Sequence, residues 1–237
     1  MTRALLALLI ALACPCATRA NDAPPARREF DSGRWAAWVA QIQAADAKHP
    51  PPQDAVLFVG SSTVVGWDTR EAFADRAVIN RGFGGSTIPD VLAWMDAIVL
   101  PYRPKVVVFY SGDNDVAWGQ PPHHVIEDFR RFARRTLTAL PDTHLIALSI
   151  KPSVTRWAHW PDMAQANRGI AAACAEHNRM TYLDLTETVL NEHGEPSPKA
   201  FTDGLHMTAA TYRVWTQRVK DELAEIEDEA SAPGASR

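Results

Sequence analysis

Lys105-Val106-Val107-Val108-Phe109-Tyr110, running into Ser111-Gly112-Asp113-Asn114-Asp115, is the stretch on which the reading of this chain turns. Five consecutive apolar residues, three of them β-branched and none alternating with polar ones, describe a strand covered on both faces. Such a strand belongs to a parallel sheet with helices above and below it. Four further short runs read as its neighbours: Ala55–Val59, Ala77–Asn80, His144–Ile150 and Met180–Leu185. Helical spacing fills the intervals over Ile88–Ile98, Pro122–Leu140, Asp162–His177 and Thr208–Ile226. An earlier amphipathic helix over Arg34–Lys48 is stopped by His49-Pro50-Pro51-Pro52, since proline lacks a donor and disfavours helix at the residue before it. Thr87 and Asp90 make a capping pair for the helix that follows them. The alternation predicts an α/β domain over residues 55–228 with a five-stranded parallel sheet. In such folds ligands bind beyond the carboxyl ends of the strands.

The ends of the chain read differently. Met1-Thr-Arg3 is a short positive start, Ala4 to Ala13 is apolar but too short to span a bilayer, and Thr18-Arg-Ala20 offers small residues for cleavage. Residues 1–20 are therefore expected to be a cleaved signal peptide, which makes the protein periplasmic or secreted. Leu12-Ala13-Cys14 also loosely fits a lipoprotein signal, with Cys14 as the lipidated residue. Residues 21–54 read as a polar linker, Asn21 to Arg28, followed by the N-terminal helix. Residues 229–237, rich in Ser, Ala, Pro and Gly, read as a disordered tail.

Across its 237 residues the chain is 46% hydrophobic and 22% charged, which suits a globular domain with an ample core. Its net charge is −4, and more negative once Arg3 and Arg19 leave with the leader. An acidic domain with no basic stripe argues against nucleic acid as a partner. Nothing apolar enough to stay in a membrane remains after the leader. Cleavage also removes Cys14 and Cys16, so Cys174 has no internal disulfide partner and reads as a small buried helix residue.

Four segments fall at strand ends or in a late loop. Gly60-Ser61-Ser62 follows the first strand, Gly82-Phe-Gly84-Gly85 the second and Gly112-Asp-Asn114-Asp115 the third; Asp203-Gly-Leu-His206 precedes the last helix. Each has a plain reading. Ser61 and Ser62 can cap a helix, the glycines and Asn114 can form turns, and a lone histidine is usually structural. Together they supply a nucleophile (Ser62), a base (His206) with an orienting carboxylate (Asp203), and oxyanion donors at the Ser62 and Gly85 N–H groups and the Asn114 amide. Asp113 and Asp115 invite a metal, yet no His-x-x-x-His or cysteine cluster accompanies them, so no cofactor or metal is expected.

In these four blocks the chain resembles the SGNH hydrolases, also called the GDSL esterase/lipase family, from about Ala55 to Glu222. Ser62 matches the nucleophile of the first block, Gly85 the glycine of the second, Asn114 the asparagine of the third, and Asp203 and His206 the Asp-x-x-His block. Ser61 stands where an aspartate is commoner. The resemblance implies a flavodoxin-like three-layer α/β/α fold and metal-independent hydrolysis. A thioesterase or acyltransferase would use the same residues; a metallophosphoesterase or a non-catalytic carbohydrate-binding domain are readings from other classes. Trp118, Trp157 and Trp160 lie in loops on the same edge and are candidates to line a site for a small-molecule or carbohydrate ester.

Overall fold

The computed structural model describes residues 26–231, so the proposed leader with Cys14 and the last six residues lie outside the described residues. A 3₁₀ turn at Ser32–Trp35 leads into α1 (Ala36–Lys48) and β1 (Val56–Gly60). Two single-turn helices, α2 (Ser62–Val65) and α3 (Thr69–Ala72), precede β2 (Val78–Gly82) and α4 (Ile88–Ile98). Then come β3 (Val106–Tyr110), α5 (Asp113–Ala117), α6 (Pro122–Ala139), β4 (His144–Leu148), α7 (Trp160–Cys174), β5 (Met180–Leu183) and α8 (Ala209–Ser231).

The five strands form one parallel sheet in the order β2-β1-β3-β4-β5. Val56 stands opposite Val78 on one side and Val106 on the other, Val106 opposite His144, and Leu145 opposite Met180. The three-layer α/β/α architecture follows from the alternation of side chains along each strand. Leu57, Val59, Val107, Phe109, Leu145 and Ala147 face one layer of helices, where Val91, Met95, Phe129, Phe132, Met163 and Ile170 cover them. Val56, Phe58, Val106, Val108, Tyr110, Ile146 and Leu148 face the other, against Trp67, Phe73, Trp215, Val219 and Leu223. Each large side chain so buried contributes about 1.5–3 kcal/mol. The edge strand β5 is only half-buried, in keeping with its mixed sequence.

The order places β1 at the point where the winding reverses, with β2 to one side and β3 to the other. The crevice beyond the carboxyl ends of β1 and β3 is where this topology binds ligands. Close approach of the two strands there requires a glycine. Gly60 has φ of +144°, and a Cβ on it would stand 1.7 Å from the Tyr110 carbonyl oxygen.

At three places the structure adds to or departs from the reading of the sequence. Residues 26–28 are not a free linker: Arg27 donates to both carboxylate oxygens of Asp128 at 2.6 Å, and the Arg28 N–H donates to Gln120 Oε1 at 2.8 Å. Polar residues read as loop can still be pinned by charge. The Asp113–Ala117 segment is a helical turn rather than an open one. The last helix runs to Ser231, into the segment expected as a tail from Glu229. Cys174 is buried, and burial pushes its thiol up to about 12.

Candidate active site

β1 ends at Gly60, and the Ser61 N–H donates to the Tyr110 carbonyl at 3.0 Å, which fixes the strand-to-helix corner. Ser62 is the first residue of α2. Neither serine caps that helix in the usual way: the Ser61 side chain makes no capping bond and instead turns inward, 3.5 Å from Asp113 Oδ1. The Ser62 hydroxyl is left to a different partner, His206 Nε2, 3.1 Å away.

His206 arrives from the far end of the chain on a tight loop. An antiparallel bridge between Phe201 and Met207 pinches the loop, and the Thr202 N–H donates to the His206 carbonyl at 2.8 Å. Within it Asp203 does two things. Its Oδ1 accepts the N–H groups of Leu205 (2.9 Å) and His206 (2.7 Å), which shapes the turn. Its Oδ2 lies 2.6 Å from His206 Nδ1. The His206 ring, then the His206 and Leu205 N–H groups, hold the Asp203 carboxyl well below the usual carboxylate range. A charged acceptor at Nδ1 requires the proton there, so Nε2 is free to accept from Ser62.

The second group of candidates comes from the Ser62 turn itself and from the segments that follow β2 and β3. Among the described residues, the N–H groups of Ser62 and Gly85 donate to no protein acceptor. Asn114, only 3% exposed, donates from Nδ2 to the Ser86 carbonyl at 2.8 Å. Its Oδ1 accepts from the Arg156 guanidinium at 2.8 Å. Asp115, on the same helical turn, accepts the Ile88 N–H at 3.1 Å and ties the Gly85–Thr87 loop to α5. Burial holds its carboxyl well above the usual range. Among the described residues no three His, Cys, Asp or Glu side chains gather as a metal site. Asp113 and Asp115 face different partners.

Beneath the site lies a charged cluster that sequence reasoning missed. Asp113 accepts from Arg156 at 2.9 Å and lies 3.7 Å from Lys151 Nζ. The Lys151 ammonium is buried, which lowers its pKa against the pull of Asp113, and it donates to the Tyr110 hydroxyl at 3.3 Å. The only signal was position: Lys151 and Arg156 stand in the segment after β4, on the carboxyl edge.

The three tryptophans fall in distinct settings. Trp118 reaches over Gly85, its ring 3.9 Å from where a Cβ on that glycine would stand. Arg34 spans the same place, its guanidinium 5.4 Å from the Trp118 ring and 3.1 Å from the Gly85 carbonyl. Trp157 and Trp160 stack at 6.2 Å with ring planes 13° apart. Trp160 is half-buried against the core and Trp157 is 37% exposed.

The sequence model of the GDSL-like lipase/acylhydrolase family matches residues 58–214, about two thirds of the chain. Among curated proteins none matches the sequence significantly. Solved structures resemble the fold. A GDSL-like lipase from Bacteroides thetaiotaomicron superposes with a TM-score of 0.66 at 20% identity, over 83% of this chain and 98% of its own. A protein described as an acylhydrolase from Bacteroides fragilis gives 0.70 at 20%, over 84% and 99%. A variant of an acetyl-xylooligosaccharide esterase from Geobacillus stearmophilus gives 0.60 at 16%, over 73% and 94%.

Proposed function

From the premise that this chain belongs to the GDSL-like lipase/acylhydrolase family, and so is a hydrolase, we propose that it is a serine esterase cleaving short-chain carboxylic esters. The observation that carries this reading is the unbroken relay from Ser62 Oγ through the His206 ring to the Asp203 carboxylate, at 3.1 and 2.6 Å.

Ser62 Oγ attacks the ester carbonyl as its proton passes to His206 Nε2. Asp203 keeps the other ring proton in place and stabilises the imidazolium. The developing oxyanion lies against the N–H groups of Ser62 and Gly85 and the free hydrogen of Asn114 Nδ2. Collapse expels the alcohol, protonated by His206, and leaves an acyl group on Ser62. Water, activated by the same histidine, releases the acid.

The alcohol side of the substrate is proposed to be a sugar. Trp157 offers an exposed ring next to Thr155 and Arg156, and Thr155 N–H donates to Gly204 O in the histidine loop at 3.1 Å. Aromatic faces stack on the apolar faces of sugar rings. An acetyl-xylooligosaccharide esterase shares the fold. The leader-like residues 1–20 support action in the periplasm or outside the cell, where such substrates occur.

The test is hydrolysis of p-nitrophenyl acetate by residues 21–237, with a fluorophosphonate label and intact-mass readout. The reading requires turnover that a chelator leaves untouched and a single adduct on the Ser62 peptide. Ser62→Ala abolishes both, whereas Ser61→Ala keeps the adduct. A folded protein with neither turnover nor adduct would overturn it.

A further inference from the structure

Arg156 hydrogen-bonds Asn114 but neither Ser62 nor His206. It sits in the 3₁₀ segment Val154–His159, and the backbone departs from helical geometry at this one residue, with φ −119° and ψ 18°. Its side chain is 15% exposed and reaches two buried acceptors at once. One nitrogen donates to Asp113 Oδ2 at 2.9 Å and the other to Asn114 Oδ1 at 2.8 Å. Resting on the esterase reading, we propose that Arg156 is a positioning residue for the oxyanion hole: its fork, anchored on Asp113, locks and polarises the Asn114 amide.

Donors and acceptors fix the orientation of the Asn114 amide. A primary amide can flip, exchanging its oxygen and nitrogen with little change of shape. Arginine has only donors, so it can meet only Oδ1; a backbone carbonyl is only an acceptor, so Ser86 can meet only Nδ2. The two partners therefore specify the same orientation independently. One Nδ2 hydrogen is spent on Ser86 and the other remains for the substrate. A charged donor on Oδ1 draws electron density from the amide and strengthens its N–H as a donor. Asp113 holds the guanidinium in register. Lysine in place of Arg156 is shorter and lacks the planar fork whose separate nitrogens meet the two acceptors.

The experiment is a double-mutant cycle on the full 21–237 chain, read by kcat and KM for p-nitrophenyl acetate, by the rate of fluorophosphonate labelling of Ser62, and by Tm. Arg156→Met is expected to lower kcat and the labelling rate by about 10–100-fold with KM within about twofold, the range for losing one charge-assisted hydrogen bond. In an Asn114→Ala background the same change is expected to cost less than about threefold, because the group it acts through is gone. Arg156→Lys, which keeps a cation beside Asp113, is expected to restore Tm but not kcat. Equal losses in the two backgrounds, an unchanged kcat in Arg156→Met, or full rate recovery in Arg156→Lys would overturn the proposal. A wild-type protein with no turnover and no label would instead overturn the esterase reading itself.

Discussion

Gly60→Ala tests whether the nucleophile's corner is built as described. A Cβ at position 60 would stand 1.7 Å from the Tyr110 carbonyl oxygen, so the ends of β1 and β3 must part by about 1.3 Å to reach even the shortest tolerated contact. Holding alanine at φ of +144° costs about 1–2 kcal/mol, and forcing the packed strands apart about 1–3 more. The same movement breaks the buried Ser61 N–H to Tyr110 bond, worth about 1 kcal/mol. The sum is about 3–6 kcal/mol, which lowers Tm by roughly 6–24 °C for a domain of this size. Gly194→Ala is the control. Its φ is +76° but nothing lies within 4 Å of its Cβ, so it carries only the conformational cost, about 1–2 kcal/mol. The assay is thermal unfolding of both variants alongside wild type. Equal losses at the two glycines would refute the close approach at Gly60, and an unshifted Gly60→Ala would refute the corner altogether.

Three other outcomes follow from the same geometry. Asp203→Asn keeps an acceptor for the Leu205 and His206 N–H groups but presents an amide donor to Nδ1, so the ring takes the wrong tautomer; kcat is expected to fall on the order of 10⁴-fold with Tm little changed, and a variant retaining a tenth of its rate would exclude Asp203 as the orienting group. Because Asp203 is held below the usual carboxylate range, it stays ionised as pH falls into the acid limb, and protonation of the base alone removes activity; log kcat/KM should drop with a slope of one, and a slope of two would mean a second group titrates. Burial raises the Asp115 carboxyl, so the folded chain keeps that proton to higher pH than the unfolded chain and stability declines as pH rises through that window. Asp115→Asn retains an acceptor for Ile88 and should flatten the decline in Tm as pH rises above the ordinary carboxylate range; an unchanged slope would refute it.

Much of this architecture was readable beforehand because it rests on periodic burial. The run Val106–Tyr110 is apolar throughout since both of its faces are covered, and each of the five strands was located to within about two residues. The four site blocks were readable because strand ends and turns need distinctive residues. Arg156 and Lys151 were not. Each pairs with a residue some forty positions away, and a long-range ion pair leaves no local pattern. Residues 26–28 escaped for the same reason: Arg27 is held by Asp128, on a helix that begins nearly a hundred residues later. The inward turn of Ser61 depends on Asp113, again from another element, whereas helix capping, the plain alternative the sequence offered, is a local rule.

Ser62 and His206 meet across 144 residues of chain. A polypeptide synthesised as far as α5 already contains Ser62, Gly85 and Asn114, yet it has no base to activate the hydroxyl. At about 5–20 residues per second the missing loop follows roughly 4–18 seconds later. On the proposed mechanism, hydrolytic competence therefore arrives only after every strand has been made. On that mechanism a chain that stalls, or is clipped, ahead of His206 carries a serine no more reactive than any other. On the proposed mechanism, turnover thus doubles as a report that the chain was made at least as far as His206.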